Sequence, residues 1–158
     1  MQYRYEKKFD TSYSTIDRTG RLGLVELMNI NQDMCTEFFG SIKSDNKILR
    51  EKNNAAWLYT RTKVKTGELP FWNTKTHAVT FISNISPIRI EIETDMHDDR
   101  NNLVFAAKTE LCAIDFTERK LRKIGYQKID DVLKLEKQNT YQEIEQDIQD
   151  AKQKVKKL

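Results

Sequence analysis

No stretch of this 158-residue sequence approaches the ~20 consecutive apolar residues that a membrane-spanning helix requires. The first residues, Met1 to Lys8, lack the apolar centre of a secretory signal. Cysteine is scarce: Cys35 and Cys112 both sit inside apolar segments, which argues against a disulfide framework and fits a reducing compartment. Gly-rich phosphate loops, Cys-x-x-Cys, His-x-x-x-His and serine nucleophile elbows are all missing. The two histidines, His77 and His97, fall in a predicted strand and a predicted acidic loop, so neither a metal nor a cofactor is expected. Net charge is small too, 27 basic residues against 24 acidic, or +3. The excess lies in the tail: from Glu118 onward there are 11 basic and 8 acidic residues, and the 117 residues before it hold 16 of each. Nucleic-acid binding needs a sustained basic surface with stacking aromatics, so it is not expected. Clustered apolar residues at 38% with near-balanced charge exclude disorder, and the length suits one soluble, cytoplasmic domain.

What is present falls into a clear order. Residues 3–9 alternate as a half-exposed strand, and Gly20 and Gly23 bracket a turn. Residues 24–39 place apolar side chains at Leu24/Val25, Leu27/Met28, Met34/Cys35 and Phe38/Phe39, which predicts one helix stopped by Gly40. Glu26, Asp33 and Glu37 are predicted to form a solvated stripe, with Asn31 and Gln32 turned toward the apolar side. After a polar linker over 41–54, strands are predicted at 56–65, 75–85, 88–94 and 103–116, with an acidic hairpin loop at 95–102. One early helix followed by a run of strands indicates an α+β fold, a helix packed on an antiparallel sheet. Thr140 to Glu143 reads as a capping box, and Tyr141, Ile144, Ile148, Ala151, Val155 and Leu158 follow at helical spacing. We therefore divide the chain into a domain at 1–128 and a helical extension at 129–158.

The turn from Asp17 to Gly23 is the chemically informative stretch. It delivers a carboxylate just before a helix N-terminus, whose free N–H groups can hold a developing oxyanion while the carboxylate orients water. The same residues also fit a simple turn, with Asp17 capping it or pairing with Arg18 or Arg21. Cys35, on the apolar helix face, reads as a buried and inert thiol.

The residues Tyr13 to Asp33, with Asp17-Arg18-Thr19 and then Leu27-Met28-Asn29 and Gln32-Asp33, resemble the start of the first hotdog domain of acyl-ACP thioesterases. Trp57-Leu58-Tyr59-Thr60-Arg61, Pro70-Phe71-Trp72 and Val79-Thr80-Phe81 are similar to that family's next motifs in order and spacing. Thr117 to Ile124 resembles the family's basic ending after the last strand. The resemblance implies a hotdog fold: a long central helix wrapped by an antiparallel sheet, with edge-to-edge pairing into a homodimer. It also implies a fatty-acyl thioester, on acyl carrier protein or CoA, as substrate. On this basis Asp17 would orient water, with Gly23 and Leu24 at the oxyanion. Met28, Asn31, Gln32, Cys35, Trp57 and Tyr59 would line the acyl pocket, and Arg61 would meet a carboxylate or a phosphate. The family is normally a tandem of two hotdogs with its catalytic residues in the second, and no position here matches them. Single-hotdog thioesterases carry Asp-x-x-Gly-His, and this chain has Asp17 and Gly20 but Arg21 in place of the His. The chain is thus expected to be a thioesterase, a non-catalytic acyl-binding module, or the acyl-binding half of a two-domain enzyme.

Overall fold

A computed structural model describes residues 3–123 together with Gln149 and Gln153, both helical. Strand β1 (Tyr5–Asp10) leads through a short 3-10 turn (Tyr13–Thr15) to helix α1 (Leu24–Ser41) and a second helix, α2 (Asn46–Asn53). Strands β2 (Ala55–Thr66), β3 (Lys75–Ile85), β4 (Ile90–Asp98), β5 (Leu103–Asp115) and β6 (Leu121–Arg122) follow. The sheet is antiparallel in the order β1-β3-β4-β5-β2, with β6 added on β5. This is the α+β layout expected, a long helix on one face of a curved sheet. The boundary expected near residue 128 and the expected C-terminal helix lie outside the described residues, apart from Gln149 and Gln153.

Helix α1 lies over β1, β3 and β4. Its buried positions, Leu27, Asn31, Met34, Cys35, Phe38 and Phe39, recur at three- and four-residue steps. The apolar face was expected to begin at Leu24; instead Leu24, Val25 and Met28 are exposed, because at its start the helix turns them away from the strands it packs on. Gln32 is also exposed, since it lies off the face that packs on the sheet. The acidic stripe is not simply solvated either. Glu37 accepts from Lys7 Nζ at 2.9 Å and from the Tyr5 hydroxyl at 3.2 Å, while Glu26 and Asp33 border a cleft of about 210 Å³ beside β1.

The polar linker expected over 41–54 contains α2. Asp45 caps it by accepting from the Ile48 N–H at 2.9 Å, and Asn54 ends it in the left-handed conformation at φ 52. Only Leu49 of this helix is buried, too little for an apolar periodicity to be read. The first half of the acidic loop expected at 95–102 is strand: β4 runs to Asp98, and Asp95 and His97 occupy its outward face opposite Val79 and His77. Only Asp98 to Asn102 turns, with Asp98 Oδ1 accepting from the N–H groups of Arg100 and Asn102.

The buried side chains of α1 and of the sheet face beneath it fall into two apolar clusters. One gathers Phe38, Phe39, Trp57, Ile82, Ile90, Ile92 and Leu111; the other gathers Leu27, Met34, Ala78, Met96, Phe105 and Ala107. Between them, on the same face, run the fully buried Thr80, Thr94 and Thr109. Past its end, β2 turns close under β5: Gly67 donates to the Val104 carbonyl at 2.9 Å, and a Cβ at Gly67 would lie 1.9 Å from the Leu103 carbonyl oxygen. Such contact leaves no room for a side chain, and the obstacle is backbone, so it cannot swing away. Gly67→Ala is expected to lower stability by about 2–4 kcal/mol through forced backbone displacement. Urea unfolding checks this; an unchanged midpoint would show that the β2–β3 connection relaxes freely.

Candidate functional site

The residues singled out at the first helix gather around its N-terminus. Gly23 is the N-cap, with extended backbone at φ -74 and ψ 152, and no side chain caps the helix. Its own N–H donates to the Thr15 carbonyl at 3.0 Å, and its carbonyl accepts from Leu27 N–H at 2.9 Å. Gly23 is therefore committed, and the N–H groups aimed outward belong to the first helical turn, which begins at Leu24. Asp17 stands beside this turn, with its Cβ 3.9 Å from where a Gly23 Cβ would be.

Asp17 also builds the turn it belongs to. Its carbonyl accepts from Gly20 N–H at 3.0 Å, Gly20 adopting φ +80, which favours glycine. Its carboxylate accepts from the Thr19 hydroxyl and from the Thr19 N–H at 2.7 Å. Those bonds hold its carboxyl below the usual carboxylate range, so it is ionised at neutral pH. Arg21 does not pair with it: that guanidinium donates to the Leu69 carbonyl at 2.6 Å, meets Glu68 at 3.2 Å, and lies 3.9 Å over the Phe71 ring.

Beyond the helix start, Met28 of α1 and Val64 of β2 are exposed at 40% and 36%, and Thr62, on the same face of β2 as Val64, is half-buried. Asn31 and Cys35 are buried on the sheet side of the helix. Asn31 Nδ2 donates to Thr109 Oγ1 at 3.2 Å, the Thr62 hydroxyl donates to the same oxygen at 3.4 Å, and Thr80 and Thr94 share a hydrogen bond at 2.8 Å. The Cys35 thiol bonds to Thr94 and Thr109, yet burial pushes it from 9.0 up to about 11. It is a neutral thiol at physiological pH and no nucleophile.

The β2 residues divide. Trp57 is buried, stacked on Phe39 with centroids 4.8 Å apart, and its indole N–H donates to the Ser44 carbonyl at 2.8 Å. It ties the α1–α2 connection to the sheet. Tyr59 is half-buried, its hydroxyl bonded to Thr36. Arg61 faces away from the helix, opposite Glu110, because a bulge at Thr60 shifts the register and turns the side chains beyond it over. Simple alternation from Trp57 and Tyr59 would have put Arg61 on the inner face; the bulge puts Thr62 there instead. Thr62 was missed for that reason; Thr94 and Thr109 follow regular alternation and were missed because a buried threonine in a strand does not by itself announce a polar role.

Residues 2–133 match the family model described as the acyl-ACP thioesterase N-terminal domain. Among solved structures, the fold is similar to an acyl-ACP thioesterase from Bacteroides thetaiotaomicron, with TM-score 0.73 at 19% identity over 80% of this chain and 52% of that one. It is also similar to a DHNA-CoA thioesterase from Staphylococcus aureus, with TM-score 0.76 at 14% identity over 87% of this chain and 94% of that one. A 12:0-ACP thioesterase from Umbellularia californica gives TM-score 0.69 at 13% identity over 77% and 49%. The chain thus spans about half the length of the acyl-ACP enzymes it resembles. No curated protein matches it by sequence.

The burial of both cysteines has a direct readout. Neither Cys35 nor Cys112 should react with a disulfide reagent in the folded protein at neutral pH, and both should react at once in denaturant. Because the folded Cys35 pKa is raised, its contribution to stability is complete below pH 9.0 and is lost as pH rises toward about 11. Rapid labelling of Cys35 in the native state would contradict this placement.

Proposed function

Because the chain belongs to the family of acyl-ACP thioesterase N-terminal domains, we propose that it is an acyl thioester hydrolase-like protein that holds a fatty-acyl chain between α1 and β2. The observation that carries this reading is a set of exposed apolar side chains, Leu24, Val25 and Met28 at the start of α1 and Val64 on the inner face of the edge strand β2, which a bound acyl chain would cover. Acyl carrier protein or CoA presents the chain, and the setting is fatty acid biosynthesis in the cytoplasm, which the two buried free thiols suit. No helix among the described residues is long and apolar enough to cross a membrane.

In this reading the thioester carbonyl sits at the start of α1, where the Leu24 N–H receives the oxyanion and Asp17 orients the attacking water. A second reading is favoured by one observation: the Asp17 carboxylate is already engaged by Thr19. The chain then serves as the acyl-binding half, with chemistry supplied by a second domain.

Thiol release from medium- and long-chain acyl thioesters separates the two. With catalysis by this chain, Asp17→Asn should cut turnover by about 10²-fold or more. The acid limb of the pH profile should lie below the ordinary carboxylate range, since the hydrogen bonds that lower the Asp17 pKa keep the base form present as pH falls. Turnover unaffected by the substitution removes Asp17 from the mechanism; measurable acyl binding without turnover supports the second reading.

We further propose that the chain pairs with a second copy along β2, which is twelve residues long and lies at the edge of the sheet. Pairing there would also cover Leu24, Val25, Met28 and Val64. The outward side chains of that strand include Arg61, Lys63 and Lys65, so two copies bring like charges together. Light scattering should therefore show a dimer at micromolar concentration that tightens as salt rises and the repulsion is screened. A monomer at every ionic strength contradicts this pairing.

A further inference from the structure

Asn31 is 3% exposed, and its Oδ1 has no hydrogen-bond donor among the described residues. It stands on the apolar side of α1, where a buried carboxamide is costly unless both of its arms are satisfied. Only one is, through Nδ2 to Thr109. Turning the amide over exchanges the two atoms but still leaves one of them without a partner. Thr109 extends the polar contact to Thr62, which is half-buried on the inner face of β2. Asn31, Thr109 and Thr62 therefore form a polar patch that runs from beneath α1 to the half-buried inner face of β2, near the proposed acyl site bordered by Met28 and Val64.

We propose that this patch is a subsite for a hydroxyl group on the bound acyl chain, so that the ligand class is a hydroxylated fatty-acyl thioester rather than a plain one. The proposal rests on the acyl-binding reading above. A hydroxyl suits the patch better than the other polar groups an acyl thioester can bring. It donates to the free Oδ1 and accepts from the amide if that is turned over, whereas a carbonyl only accepts. The amide lies seven residues into α1, roughly 10 Å from its first residue at 1.5 Å per residue. With the thioester at the helix start, the hydroxyl that reaches Asn31 lies well down the chain, beyond the β-carbon.

Calorimetric titration of the full chain with dodecanoic acid, its β-hydroxy and mid-chain hydroxy derivatives, and the mid-chain methyl ether tests this. The mid-chain hydroxy acid should bind roughly three- to tenfold more tightly than dodecanoic acid, the worth of one net hydrogen bond. The methyl ether, which can no longer donate, should lose that advantage, as should the β-hydroxy acid. Asn31→Leu should reverse the order in favour of dodecanoic acid. If that variant fails to fold, the four-ligand comparison on the unaltered protein still decides. Equal binding of dodecanoic and mid-chain hydroxy acids overturns the proposal and assigns the Asn31 amide to an internal water. Absence of binding for all four overturns the acyl-binding reading itself, which is a distinguishable result.

Discussion

The contact between the buried side of α1 and the inner face of the sheet is the interaction on which the rest of the domain depends. Leu27, Met34, Phe38 and Phe39 are each at most 2% exposed, and burying each such side chain stabilises by about 1.5–3 kcal/mol. The two apolar clusters meet this helix from β3, β4 and β5, and Trp57 extends the contact to β2 by stacking on Phe39. Beside β1 the helix leaves a cleft bordered by Leu22, Ile30 and Met96, and at its start it leaves Leu24, Val25 and Met28 exposed. The placement of one helix thus sets both the stability of the domain and which apolar side chains meet solvent.

That core is not uniformly apolar. Thr80, Thr94 and Thr109 cross it, and their hydroxyls find partners in one another, in Cys35, in Thr62 and in Asn31. A row of satisfied threonines costs little, since β-branched side chains suit strands and each hydroxyl has a partner. The Asn31 amide is different because half of its capacity has no partner among the described residues, in a buried site. Local rules broken in a core mark places where something other than stability is served, and here the broken rule lies near the proposed acyl site.

Much of this architecture was legible in the sequence because its signals are periodic. The spacing from Leu27 to Phe39 indicated α1, and the alternation of Ile90 and Ile92 with Glu91 and Glu93 gave the strand direction of side chains in β4. Three ordered motifs carried the family, now matched over residues 2–133. What was not legible depends on tertiary position. Helix α2 buries one residue and so has no apolar face to read. Leu24, Val25 and Met28 look like core in sequence and are exposed because of where the helix stops covering the sheet. The bulge at Thr60 exchanges the roles of Arg61 and Thr62, and no residue type announces it. Asp17 was legible both as a carboxylate beside the helix start and as the cap of its own turn; the bonds from Thr19 fulfil the second, and the choice of Thr19 as partner follows from the Gly20 turn.

The central claim is that an acyl chain lies between α1 and β2, on the helix side of the sheet. The most direct measurement is isotope-edited NMR of the methyl-labelled protein with an unlabelled fatty acid, reading contacts between chain methylenes and protein methyl groups. The account predicts contacts to Met28, Val64 and Leu24. Contacts confined to Leu58 on the outer face, or to Ile30 and Met96 beside the cleft at β1, would place the chain elsewhere and contradict it.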